Sequence, residues 1–94
     1  MKLIWSDAAQ ADREYIYDYI DGNNPRAAIA VDNHLEEAVE RLMRFPMSGR
    51  IGRVDGTREL VVTGTPYIAA YQVTDRIVRI LRILHGAQEW PDDF

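Results

Sequence analysis

The sequence predicts an α+β fold: one strand, two helices, then three strands, with the helices packed on one face of an antiparallel sheet. Three observations carry this. Apolar residues recur at three- and four-residue steps from residue 7 to residue 45. Helix start signals stand at Ser6 and at Asn24-Pro25. From residue 57 on, the pattern changes to short runs rich in β-branched and aromatic residues, broken by turn residues.

Lys2–Trp5 reads as a short strand. Ser6 caps the helix that follows, with Asp7 in the first turn, where the helix dipole favours an acid. Over residues 7–21, Ala8, Ala11, Tyr15, Ile16, Tyr19 and Ile20 share one side, and Gly22-Asn23 stops the helix. Residues 25–45 place Ala28, Val31, Leu35, Ala38, Val39 and Leu42 on a broad apolar stripe, ended by Pro46. The short link makes the pair an antiparallel hairpin. Residues 46–56, "PMSGRIGRVDG", are a loop. Strands are expected at Thr57–Thr63, Tyr67–Val73 and Arg76–Leu84, joined by turns at Gly64-Thr65-Pro66 and Thr74-Asp75. A helical hairpin covers one side of such a sheet and leaves the other for solvent, a partner or a substrate.

Ninety-four residues make one domain, long enough for a core without staples. The absence of cysteine excludes disulfides and thiolate metal sites, and suits a reducing cytoplasm. The first ten residues lack the apolar stretch of a secretory leader, and no run approaches a membrane span. Cytoplasmic residence is therefore expected. The net charge of −4 is unevenly spread. Residues 1–40 hold three basic and nine acidic side chains, a balance of −6; residues 41–85 hold eight arginines against three acids, +5; residues 86–94 carry −3. Every basic residue from Arg41 on is Arg, whose planar fork suits anionic partners. Solvated charge paired with the acidic first half is the plainer explanation.

Strand alternation puts Ile77, Arg79, Leu81, Ile83 and His85 on one side and Val78, Ile80, Arg82 and Leu84 on the other. Arg82 thus falls in an apolar row. It is either an ion pair, with Glu59 and Asp75 the candidate acids, a side chain snorkelling at a sheet edge, or an anion-binding group. His85 ends the last strand, where it either hydrogen-bonds to backbone or acts as acid or base. Trp90-Pro91 reads as an apolar cap pinning the tail. No metal set, phosphate-cradling glycine loop or Ser-His-Asp arrangement is present, so neither metal nor cofactor is expected.

The ordered set "FPMSGRIGRVDGTRELVV", "TPYIAAYQV" and "VRILRILHGAQEWP", behind a two-helix half, resembles the RelE/ParE superfamily of type II toxin–antitoxin toxins over nearly the whole chain. The resemblance implies a compact plasmid-stabilisation-type toxin neutralised by a cognate antitoxin, with two helices on one face of an antiparallel sheet. It also implies one of two activities. RelE-like members are mRNA interferases that cleave message in the ribosomal A site with sheet Lys and Arg side chains and no metal. ParE-like members inhibit DNA gyrase and lack those groups. Aligned without gaps on Tyr67 and Tyr71-Gln72-Val73, the nuclease lysines fall on Glu59 and Val61, the strand arginine on Ile68 and the last arginine on Gln88. Arg58, Gly64, Arg82, Leu84 and His85 fall on ParE-like positions.

The expectation is thus a ParE-like toxin that contacts gyrase through Arg50, Arg53, Arg58, Arg82, His85 and Trp90, with no membrane partner and no sequence-specific DNA binding of its own. The alternative is an endoribonuclease with His85 as acid or base and Arg82, Arg58 or the loop arginines holding the phosphate. A chain in which all these residues only pack is the third reading. For the antitoxin, a helix lying in a groove and carrying Lys or Arg toward the acidic first half is expected.

Overall fold

The computed structural model describes residues 1–94. It consists of β1 (Lys2–Trp5), α1 (Asp7–Asp21), α2 (Pro25–Arg41), β2 (Arg50–Ile51), β3 (Arg58–Val61), β4 (Tyr67–Thr74) and β5 (Ile77–His85). The sheet order is β1-β5-β4-β3-β2. The last four strands pair antiparallel, and β1 joins the far edge parallel to β5. The predicted α+β order holds. No helix is long and apolar enough to cross a membrane.

Both helix starts are capped as the sequence implies. Ser6 Oγ accepts from the Ala9 N–H at 3.0 Å and donates to the Leu81 carbonyl at 2.9 Å. One hydroxyl thus begins α1 and fastens it to β5, where such a cap is worth about 1 kcal/mol. Asn24 caps α2 through the Ala27 N–H at 3.1 Å. The hairpin is held by Arg13, which meets Asp32 at 2.7 and 3.0 Å and lies 5.0 Å over the Trp5 ring.

The helices cover one face of the sheet. Ala9, Ile16, Leu35, Ala38, Val39 and Leu42 pack against Val62, Ala69, Tyr71, Val78, Ile80 and Ile83. Two expectations need correction here. The first is that α2 runs to residue 45; it ends at Arg41. The Leu42, Met43 and Arg44 N–H groups bond three residues back, to Val39, Glu40 and Arg41, so the chain tightens ahead of Pro46. Leu42 still reaches the core. The second is strict alternation along β5. Ala70 pairs with Arg82 but Tyr71 pairs with Ile80, leaving Leu81 as the extra residue of a bulge. The bulge puts Ile83 on the core side with Val78 and Ile80.

The opposite face is not bare. Ile68, Ala70 and Leu84 alternate away from the helix-facing core, pair in adjacent rows, and are all buried. Glu59, opposite Ala70, is 3% exposed. The loop before β3 and the tail after β5 close over this side through the contacts described next.

Candidate functional site

The loop between α2 and β3 is anchored from below by a tyrosine. Tyr71 is fully buried; its hydroxyl donates to the Pro46 carbonyl at 2.8 Å and accepts from the Gly49 N–H at 2.9 Å. Arg58 adds a bond to the Gly49 carbonyl at 2.8 Å. Residue 49 must be glycine because a Cβ there would lie 2.6 Å from the Tyr71 hydroxyl and 2.8 Å from the Glu59 carbonyl. Arg50-Ile51 then pairs with β3 as a two-residue edge strand, an element the loop-like composition concealed.

Over this base sits a carboxylate clamped by two arginines. Glu59 Oε1 accepts from Arg50 Nε and Nη2 at 3.2 and 2.9 Å. Glu59 Oε2 accepts from the Arg53 backbone N–H at 2.7 Å and from its Nε at 3.1 Å. Burial pushes the Glu59 carboxyl pKa up, but the bonds from Arg53 and Arg50 outweigh it and hold the group below the usual carboxylate range. The Arg53 guanidinium lies 3.6 Å over the Trp90 ring, and Trp90 Nε1 donates to the His85 carbonyl at 3.3 Å. The cap expected of Trp90 is thus a cation–π lid on Arg53, tying loop to tail. Arg50 and Arg53 side chains remain 54% and 46% exposed, and Ile51 between them is 82% exposed.

A second centre lies where α1 crosses the end of β5. Asp12 takes Arg82 Nε at 2.7 Å and Nη2 at 3.0 Å in a bidentate pair, and also accepts the Ile83 N–H at 2.9 Å. The partner of Arg82 is therefore Asp12, seventy residues away, rather than Glu59 or Asp75. The bond to Asp12 raises the guanidinium pKa against the opposing effect of burial. This pair borders a cleft of about 510 Å³ that Tyr15, Tyr19, Tyr67 and His85 also line. Tyr67 meets the His85 ring edge-on at 5.6 Å. His85 Nδ1 accepts from the Ala87 N–H at 3.0 Å, which requires a lone pair there and leaves Nε2 as the ring's N–H when neutral.

The residues singled out in the sequence therefore divide into three groups. Arg50, Arg53 and Trp90 come together around Glu59. Arg82 and His85 share the cleft beside α1. Arg58 stands apart, holding Gly49. A single cationic face ending at an imidazole does not form, because internal carboxylates sit between the guanidiniums. Sequence reasoning missed Asp12 and Tyr71 as organising groups. It also grouped Tyr15 and Tyr19 with Ile16 on one side of α1, whereas Ile16 is buried and the two tyrosines are 71% and 68% exposed and stack at 6.3 Å. Their four-residue spacing was the available signal; their place at the edge of the stripe decides which way they point.

Residues 3–90 match the profile of the family described as "ParE toxin of type II toxin-antitoxin system, parDE". A relative from Sinorhizobium fredii, "Putative toxin Y4kP", is 39% identical over 90 residues, spanning 96% of this chain and 93% of that one. "Toxin RelE2" of Caulobacter vibrioides is 38% identical over 87 residues, spanning 93% and 97%. A solved structure titled "Chromosomal ParDE TA system from P. aeruginosa" superposes with a TM-score of 0.82 at 31% identity, covering 90% of this chain and 95% of that one. With this fold, and with its matches running almost end to end, the chain belongs to the ParE toxin family of type II toxin–antitoxin systems.

Proposed function

We propose that this toxin acts by holding a protein target, DNA gyrase, rather than by cleaving RNA, and that a cognate antitoxin neutralises it. The observation that supports this is the pairing of Arg82 with Asp12 beside His85. Attack of a ribose 2′-hydroxyl on phosphorus needs a base, an acid and positive charge on the developing oxyanion. The one guanidinium lining the cleft with His85 is already neutralised, and Asp12 would repel a phosphate. Arg50 and Arg53 are likewise committed to Glu59.

What the clamp leaves is a protein-binding surface. Arg50, Ile51, Arg53 and Trp90 form a fixed, half-exposed patch of the residue types that dominate interfaces. Glu59 holds both arginines in place, so little side-chain entropy remains to be lost on binding. Arg58 and Arg82 support the scaffold on this reading, and the cleft at His85 is left for another partner.

Purified toxin added to gyrase and supercoiled plasmid is expected to trap cleaved DNA. Added to translating ribosomes, it is expected to leave message intact, and His85→Gln is expected to change neither result. Ile51→Asp, at an outward position on an edge strand, is expected to keep the melting temperature and reduce trapped DNA at least tenfold. Cuts within codons that His85→Gln abolishes would replace this reading with the nuclease one.

A further inference from the structure

We infer that the cleft between α1 and the end of β5 is a receptor for one basic side chain, Arg or Lys, presented by the antitoxin. The inference rests on the reading that an antitoxin binds this chain, and it assigns where and by what chemistry.

The cleft has two aromatic walls. Tyr15 and Tyr19, stacked at 6.3 Å, form the wall on α1. Tyr67 and His85, edge to face at 5.6 Å, form the wall on the strand ends. Burial, with the phenols of Tyr19 and Tyr15 close by, holds the Tyr67 hydroxyl above its ordinary value, so its ring stays neutral. Ring faces carry negative potential and attract a cation lying over or between them. Tyr15 and Tyr19, 71% and 68% exposed, hold adjacent apolar area in water that a docked side chain would cover.

Charge decides the occupant. The cleft's own cation, Arg82, is neutralised by Asp12. The helix forming one wall carries Asp7, Asp12, Glu14, Asp18 and Asp21 against Arg13 alone; Asp12 lines the cleft, Glu14 and Asp18 border the far side of the helix with Arg13, and Arg13 is paired with Asp32. A nucleic-acid strand would find rings to stack on but no free positive charge for its phosphates, and such binding depends on that charge. A purely apolar side chain would gain burial but nothing from the field of α1. A guanidinium or ammonium gains from both, and its alkyl stem covers the tyrosine rings while its head stays partly solvated. An aromatic slot walled by a helix of net negative charge thus fits a basic residue on an otherwise apolar segment.

The test uses the full-length toxin and the full-length product of the reading frame beside its gene. Tyr15→Ala with Tyr19→Ala is expected to weaken the complex at least tenfold, with the melting temperature of the free toxin held within a few degrees. Tyr15→Phe with Tyr19→Phe is expected to restore most of the affinity, because the ring faces remain. One Arg or Lys of the antitoxin, replaced by Met, is expected to lose affinity in the wild-type toxin and to lose none further in the double-alanine toxin. Tyrosine ring proton shifts of the unsubstituted toxin, followed by NMR with each Met-substituted antitoxin, give the same answer without altering the toxin. Equal affinity of the double-alanine variant overturns the assignment. So does coupling confined to apolar antitoxin residues, or an oligothymidylate that shifts the same ring signals. A wild-type toxin that does not bind the neighbouring product at all overturns the antitoxin reading itself.

Discussion

Glu59 and Asp12 each hold arginines, one in the loop-and-tail half of the molecule and one where α1 meets β5. Glu59 accepts from Arg50 and Arg53 and from the Arg53 backbone, and nearly all of its surface is buried. Asp12 accepts from Arg82 and from one backbone N–H, and sits nearer solvent. The groups around Glu59 have little other structure: a two-residue strand, a glycine-bounded loop and a tail without a helix or strand. The groups around Asp12 belong to a helix and a nine-residue strand already packed on the core. The same charge chemistry therefore organises one region and only fastens the other.

The largest difference is expected from removing each carboxylate. Glu59→Ala leaves two guanidiniums over a vacated, buried position and frees the Arg53 N–H. A cost of about 3 kcal/mol follows, reduced from the fully buried case because both arginines are half in water. Amide exchange should accelerate through residues 50–57 while Ile80 and Tyr71 stay protected. Asp12→Ala strands the Ile83 N–H and one arginine, for about 2 kcal/mol, with faster exchange at Ile83 and an unchanged loop. Urea denaturation and residue-resolved exchange would measure both. Identical exchange patterns for the two variants would erase the distinction.

Acid separates the two sites from another direction. Because the folded-state pKa of Glu59 lies below its unfolded value of about 4.5, its stabilisation is fully present above that pH. It is lost as pH falls through the folded value, when the carboxyl must accept a proton. The advantage of wild type over Glu59→Gln is therefore expected to be constant from pH 7 to about 5 and to shrink below 4.5. Paired urea midpoints across pH 3–7 test this. An advantage that grows on acidification would reverse the sign of the argument.

The same contrast explains which parts of the molecule the sequence disclosed. The helices and the last strands are announced by periodicity, Ser6 and Asn24-Pro25, because those signals arise from local backbone chemistry. The fold could be read for that reason. The pairing of Arg82 with Asp12 spans seventy residues and lies next to the Leu81 bulge, which no local pattern marks. Tyr71 reads as one more aromatic in a strand; its role comes from the backbone groups of Pro46 and Gly49 that tertiary packing brings to its hydroxyl. Glu59 stands in a polar-looking run, and only the fold shows that two arginines cover it. The candidate residues were legible as types and not as partners, since the partners are set by the packing of elements distant in sequence.

The smallest expected effect concerns the link between loop and tail. Trp90 contributes one ring face to Arg53 and one N–H to the His85 carbonyl, both partly solvated. Trp90→Ala is expected to cost about 1 kcal/mol, and Trp90→Phe roughly half of that, since a smaller ring face remains but the N–H does not. Arg53→Met tests the coupling. If the guanidinium and the indole interact directly, the double variant should cost less than the two single variants together by about 0.5–1 kcal/mol. Strict additivity would mean that Glu59 alone places Arg53 and that the tail lies against the loop without being held by it. In that case Trp90 would belong to the proposed target-binding patch through its own surface, and, on the gyrase proposal, Trp90→Ala would reduce trapped gyrase–DNA complexes with no change in loop exchange.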